Sequence, residues 1–132
     1  MSTFQVEERS LADLQADMAA GRADAQQWVA ACTERIEALD RRGPRLASVI
    51  EPNRDAPASA GALDAERRAR GACGPLHGMP IPIEDNIDTF DRMQTSTGSL
   101  ALALAAAGRR RRLHRAAPAR RRCGDPGQDQ AQ

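Results

Sequence analysis

The sequence predicts an α/β fold that is incomplete, and three observations carry that expectation. Between residues 11 and 70, three stretches repeat apolar side chains at helical spacing. Two short runs, Leu46–Glu51 and Pro80–Ile83, are apolar, bounded by Pro, Asn and Asp, and read as strands. The 132 residues include Phe4, Trp28 and Phe90 as the sole aromatics and no Tyr. That is room for one small domain or a piece of a larger one. A core built mainly from Ala, Leu and Ile buries little area per residue, which argues against much independent stability.

The first helix is expected over about 11–20, with Ser10 as N-cap, Leu11, Leu14 and Met18 on one face, and Gly21 as the stop. Asp24 caps a second helix over about 25–40. Trp28, Cys32, Ile36 and Leu39 form its apolar stripe, while Glu34, Arg35 and Glu37 lie off it. The glycine turn between the two suggests an αα-hairpin, with Trp28 as a core residue. Arg41-Arg42-Gly43-Pro44 ends the second helix. After the first strand, Pro52 and Asn53 turn the chain into a third helix over about 56–70, which stops at Gly71. Its Glu66, Arg67, Arg68 and Arg70 read as a solvated face, because nucleic-acid binding would need an aromatic platform or a second basic patch.

The stretch from Gly74 to Leu102, GPLHGMPIPIEDNIDTFDRMQTSTGSLAL, concentrates Gly, Pro and small hydroxyl side chains around the second strand. Chemistry carried on loops over a rigid element is usually built this way. The prolines place Pro80–Ile83 at a sheet edge or at the start of a strand. Asp85, Asn86, Asp88 and Thr89 supply turn chemistry, since their side chains bond nearby backbone amides. His77 has no Ser or Cys placed to partner it as a base, so a structural hydrogen bond is its expected role.

From Leu11 to about Leu102 the chain resembles the amidase signature family. The resemblance rests on TERIEALD, LASVIE, ALDAERRARG and above all GPLHGMPIPI-x-DNIDT…MQTSTGSLAL, in that order. It covers about three quarters of the chain, and within the family it is most similar to the peptide-amidase branch. The resemblance implies an N-terminal fragment of a domain several times longer, α/β with a mixed central sheet wrapped by helices. It implies hydrolysis of amide C–N bonds in a small-molecule or peptide substrate by a Ser–cis-Ser–Lys triad. A serine hydroxyl is a poor nucleophile without an adjacent base. A neutral lysine takes its proton through the bridging serine, and backbone amides stabilise the oxyanion. The resemblance implies no metal and no organic cofactor.

In the family the lysine stands directly before Asp-Asn; here that position is Glu84. A carboxylate serves as a general base elsewhere, but this one has a shorter arm and the opposite charge. Asp85, Asn86, Thr95, Ser96, Gly98 and Ser99 keep the surrounding pattern and are expected to shape the loop. The family's two serines lie in a GGSSGG-like segment, and these 132 residues contain none. The chain is therefore expected to be inactive as written.

The three cysteines, Cys32, Cys73 and Cys123, form no C-x-x-C pair, so reduced thiols in a cytoplasmic protein are expected. The N-terminus has no signal-peptide pattern, and Leu100–Ala107 is too short to span a membrane. All nineteen basic residues are Arg. Residues 1–107, the amidase-like part, carry a net charge of −5, whereas residues 108–132 carry +6. That tail, GRRRRLHRAAPARRRCGDPGQDQAQ, has no helical or strand period and is expected to be disordered. One reading makes it a basic arm of a non-catalytic interaction protein that binds a polyanion. A shifted reading frame explains it better. With GC-type codons read one base later, Leu113 to Asp129 permit F-I-V-(Q/R)-R-L-R-A-A-G-A-V-I-L-G-K-T. This restores an amphipathic helix and a strand and places the shift between about Ala103 and Arg109.

Overall fold

A computed structural model describes residues 6–87, 89 and 92–104. The tail over 108–132 and its shifted frame lie outside the described residues.

Helix α1 spans Leu11–Ala19 and begins with a capping box. The Asp13 N–H donates to Ser10 Oγ, and the Ser10 N–H donates back to Asp13 Oδ2, both at 3.2 Å. It ends where Gly21 takes a φ of +67°. There Gly21 N–H bonds Met18 O at 3.2 Å and Arg22 N–H bonds Asp17 O at 2.9 Å, the paired closure of a Schellman end. Helix α2 spans Ala25–Arg35 and also opens with a capping box. Gln27 N–H donates to Asp24 Oδ1 at 2.8 Å, and Asp24 N–H donates to Gln27 Oε1 at 2.9 Å. Both N-caps match the expectation, because Ser and Asp side chains satisfy amides that have no partner inside the helix.

The second helix does not continue as an α-helix to residue 40. It widens into π-helical turns over Ile36–Arg42. The returning chain binds this widened end: Leu46 N–H reaches Leu39 O and Ala47 N–H reaches Asp40 O, each at 3.3 Å. The buried Asp40 carboxylate takes the Ser48 N–H and hydroxyl, both at 2.6 Å, and the Val49 N–H at 3.3 Å. The Ser48 hydroxyl, then its amide, holds that carboxyl below the usual aspartate range.

These bonds explain why Leu46–Glu51 is not a strand. Its amides turn back onto Asp40, and Arg45 and Ala47 sit at φ of +55° and +51°, left-handed values that no strand contains. Pro80–Ile83 is irregular too. Among the described residues no strand exists, so the expected first strands are absent from this structure. A strand is defined by a backbone partner, and among the described residues the Ile81 and Ile83 amides have none.

Helix α3 spans Ala56–Arg70, as expected, with Pro57 in its first turn and Gly71 beyond its end at φ +83°. A five-residue helix α4 covers Leu100–Leu104.

The expected hairpin of α1 with α2 is not the main packing; α2 lies chiefly against α3. The reason is polar. Asp64 of α3 is buried, and its carboxylate accepts from Ala25 N–H at 2.8 Å and Gln26 N–H at 3.2 Å. With Asp24 on Gln27, the three leading amides of α2 are all satisfied. Around this joint sits a small core of Met18, Ala23, Ala25, Trp28 and Ala60, flanked by Val6, Leu14, Val29 and Met79. Trp28 is the one large side chain wholly inside it, 1% exposed, and the Arg9 guanidinium stands 5.9 Å from the centre of its ring. Cys32 is a half-buried free thiol whose pKa burial raises. Cys73 is disulfide-bonded, contrary to the expectation of reduced thiols throughout.

Replacing Asp64 by Ala leaves the buried Ala25 amide and the part-buried Gln26 amide unsatisfied and should cost about 2 kcal/mol of stability. Asp64→Asn keeps an acceptor and should cost less. Urea unfolding followed by circular dichroism measures both. Equal stability of Asp64→Ala and the parent chain would show that α3 does not hold α2 in this way.

Candidate functional site

The site is assembled from a turn nailed to the helices and the irregular segment that leaves it. The turn is Gly74–Met79, closed by His77 N–H to Gly74 O at 3.2 Å and Met79 N–H to Leu76 O at 3.1 Å. His77 is buried, with both ring nitrogens engaged. Nδ1 accepts from Cys73 N–H at 3.4 Å, so Nε2 carries the proton and donates to Leu63 O at 2.9 Å. This is the structural role the sequence suggested. The His77 carbonyl accepts from Arg67 Nη2 at 2.9 Å and from Gln15 Nε2 at 3.1 Å, while Arg67 Nη2 also donates to Gln15 Oε1 at 2.7 Å. Arg67 therefore joins α1, α3 and the turn and is not part of a solvated face. At Gly78, φ is +80°, and a Cβ would stand 2.9 Å from Met18 Cε and 3.1 Å from Ala25 Cβ. Only glycine lets the backbone approach the core so closely there.

From this anchor the chain runs through Pro80–Ile83 to Glu84, where a turn closes with Ile87 N–H on Glu84 O at 3.0 Å. Glu84 is exposed and, among the described residues, makes no ion pair. Asn86 is exposed as well. Asp85 is the organiser. Its Oδ1 accepts from Ser96 N–H at 2.8 Å, and its Oδ2 accepts from the Ser96 hydroxyl at 2.5 Å and from Gly98 N–H at 3.3 Å. Its carbonyl accepts from Thr97 N–H at 3.3 Å. Thr95 is buried, and its hydroxyl donates to Ile87 O at 3.3 Å. A tight turn follows, with Thr97 at φ +48° and Gly98 at φ +72°, and Ser99 N–H closing on Ser96 O at 2.8 Å. Two successive positive φ values mark a type I′-like turn, which suits Gly98 and strains the β-branched Thr97.

The structure thus brings Asp85, Thr95, Ser96, Gly98 and Ser99 together beside Glu84 and leaves Asn86 without such a contact. Sequence reasoning missed two clamps on the same segment. Arg92 forms a two-bond ion pair with Asp55, and Gln94 N–H donates to Glu51 Oε2 at 3.0 Å. No spacing rule connects residues 37 or 43 positions apart. A shallow cleft of about 120 Å³ lies there, lined by Glu51, Asn53, Arg54, Arg92 and Met93.

One other group of chemically capable side chains exists among the described residues. Glu66, Cys73 and His77 bring ligand atoms within 4.8 Å of one another. Both nitrogens of the His77 ring already serve the backbone and Cys73 is disulfide-bonded, so the set offers a metal no ready imidazole or thiolate. No helix among the described residues is long and apolar enough to cross a membrane.

No family model matches the chain. A probable amidase of Arabidopsis thaliana is 34% identical over 103 residues, which is 76% of this chain and 20% of that protein. One component of the glutamyl-tRNA(Gln) amidotransferase of Chloroflexus aurantiacus is 39% identical over 67% of this chain and 18% of its own length. With these relatives, the chain belongs to the amidase signature family. Among solved structures it is similar to the peptide amidase of Stenotrophomonas maltophilia, at 51% identity and a TM-score of 0.70 over 73% of this chain. A peptide amidase bound to the competitive inhibitor chymostatin matches at 50% identity and a TM-score of 0.72. The chain spans about a fifth of the length of these relatives.

The Ser96 hydroxyl, followed by the amides of Ser96, Gly98 and Thr97, holds the Asp85 carboxyl below the ordinary aspartate value of 3.8. A carboxyl depressed in the folded state stabilises it above the unfolded value and loses that contribution as pH falls through the folded value. Site-resolved carboxyl NMR should therefore place the Asp85 midpoint below 3.8, with the Ser96 and Gly98 amides shifting in step. Asp85→Asn should abolish that step. A midpoint at or above the ordinary value would show that the loop is not held by this anion.

Proposed function

We propose that this chain is the N-terminal segment of an amide-hydrolysing domain, carrying the loop that frames the proton-accepting position but not a working base. The observation behind the reading is the Glu84-Asp85-Asn86 turn, with Asp85 locked onto Ser96 and Gly98. It occurs in a chain about half identical to a peptide amidase over the same region. The substrate class inferred for the full domain is a peptide or small-molecule amide, and the reaction is acyl transfer to water.

In this reading Asp85 positions the Ser96–Ser99 loop and fixes the start of the turn on which residue 84 is mounted. A lysine at that position, neutral in its resting state, takes a proton from the bridging serine and returns it to the leaving amine. Glu84 puts a carboxyl on a shorter arm in place of the lysine amine, with the opposite formal charge beside a developing alkoxide, and is a poorer proton relay there. Both serines would come from residues that this segment does not contain. The Arg-rich residues 108–132 are read as the product of a shifted frame, because the alternative frame offers helical and strand periodicities that their sequence does not show.

The test is a chimera in which residues 6–104 replace the matching part of the Stenotrophomonas maltophilia peptide amidase. With Glu84 its kcat should be about 100- to 10,000-fold below that of the parent enzyme, the range that general acid–base groups contribute. Glu84→Lys should restore most of the loss with little change in KM. A Glu84 chimera as active as the parent would overturn the reading. Resequencing the gene from codon 80 to about forty codons past the stop decides the frame. A base gained or lost near codon 105 supports the shift, and an intact frame removes it.

A further inference from the structure

Three side chains that the amide chemistry does not use meet where α3 hands over to the His77 turn. Glu66 lies near the end of α3, the helix stops at Gly71, and the Gly74–Met79 turn folds His77 back onto Leu63. A ligand atom from each of Glu66, Cys73 and His77 stands within 4.8 Å of the other two, with Cys73 Sγ 3.6 Å from Glu66 Oε1. Zinc bonds of about 2.0–2.3 Å place the ligand atoms of a tetrahedral site roughly 3.3–3.8 Å apart. The Glu66–Cys73 pair already has that spacing, and the imidazole needs only a small approach.

The His77 tautomer suits a metal ligand. A histidine that binds zinc donates its second ring N–H to a carboxylate or a backbone carbonyl, which fixes the ring. His77 Nε2 already donates to Leu63 O at 2.9 Å, which leaves the ring lone pair on Nδ1. That lone pair accepts the Cys73 N–H at 3.4 Å, a bond longer than the ordinary range. Cys73 is exposed, so water can take over its N–H when the nitrogen turns to a metal. The stronger barrier is the disulfide on Cys73, because sulfur bonded to sulfur has no thiolate to give. In the disulfide-bonded chain the set is therefore closed to metal. A dithiol opens it: the dithiol gives two electrons and two protons to the S–S bond, becomes a disulfide itself and leaves Cys73 as a thiol. Metal binding then releases the thiol proton to water.

We propose that Glu66, Cys73 and His77 Nδ1 form a zinc site that opens when the Cys73 disulfide is reduced, with water as the fourth ligand. A thiolate, an imidazole and a carboxylate select zinc over magnesium and calcium, which take oxygen ligands. Cys32 is a weaker competitor for the metal, because burial raises its pKa and keeps it a thiol. Bound zinc ties the His77 turn to α3 through Glu66, so the reduced chain gains a metal anchor at the point where the segment toward Glu84 departs. The proposal is independent of the amide-hydrolysing reading and of what Glu84 does.

The test reduces the full chain with dithiothreitol, removes the reductant by anaerobic gel filtration, and titrates with zinc by calorimetry and with cobalt(II) by absorption. The reduced chain should take up a single zinc ion, and the disulfide-bonded chain should bind it about tenfold or more weakly. Cobalt(II) should give a thiolate charge-transfer band. Cys73→Ser and Glu66→Gln should each weaken zinc binding about tenfold or more, and Cys73→Ser should remove the band. Neither side chain is buried, so both variants should keep the circular dichroism of the parent chain. Cys32→Ala with Cys123→Ala should leave zinc binding unchanged. Nitrogen NMR of the isotope-labelled reduced chain should show zinc moving the His77 Nδ1 resonance while Nε2 stays protonated. Absence of binding by the reduced chain, equal binding by the disulfide-bonded chain, or indifference to Cys73→Ser or Glu66→Gln would each overturn the proposal. So would loss of binding on replacing Cys32 and Cys123, or a metal shift at Nε2.

Discussion

Asp64 sits on the face of α3 that meets α2, and its carboxylate takes the first two amides of α2. A helix N-terminus has both unpaired donors and a partial positive charge, so an anion placed there from a second helix fixes the relative position of the two. The core around this joint is mostly alanine and methionine with a single tryptophan. Apolar burial alone would position such helices loosely, because small side chains leave few distinct ways to interlock. The charged cap supplies the register that packing does not. Arg67, one helical turn further along the same face, extends the arrangement to α1 and to the His77 turn. From that turn the chain departs toward Glu84, so the placement of the candidate site depends on the polar face of α3.

The molecule divides into a helical part with capped ends and an irregular part held by side chains. Helices α1 and α2 close their ends with capping boxes, a Schellman turn and a cap from α3. The segments beyond Met79 are fixed to one another by carboxylates on backbone amides, chiefly Asp85 and Glu51, without a sheet to join. A carboxylate that binds several amides of a loop keeps its shape without neighbours. This is how the Ser96–Ser99 loop remains formed in a chain that spans a fifth of its relatives' length.

The helices were legible from sequence because their signals are local. Ser10, Asp24 and Gly21 mark ends that the structure reproduces, and Trp28 stands on a stripe of period 3.6. The loop residues around Asp85 were legible through the family resemblance, which preserves their order. The strands failed for a physical reason: Leu46–Glu51 has the composition of a strand, yet its amides are captured by Asp40 nearby in the chain. The polar face of α3 failed for another reason. Ala60, Asp64 and Arg67 lie on one helical face, and hydrophobic periodicity is blind to a buried face made of a carboxylate and a guanidinium. Charge in a helix is read as solvent-facing unless its partner is known, and here Asp64 meets Ala25 39 positions away and Arg67 meets Gln15 52 positions away.

The central claim is that a polar joint orders the helices while, among the described residues, the Ile81 and Ile83 amides have no backbone partner. Residue-resolved hydrogen–deuterium exchange on the isolated chain tests it most directly. The account predicts slow exchange at the Ala25, Gln26 and Gln27 amides and exchange close to that of an unstructured chain at Ile81 and Ile83. Protection of Ile81 and Ile83 equal to that of α2 would mean that this segment already has a backbone partner within this chain, and would contradict the account.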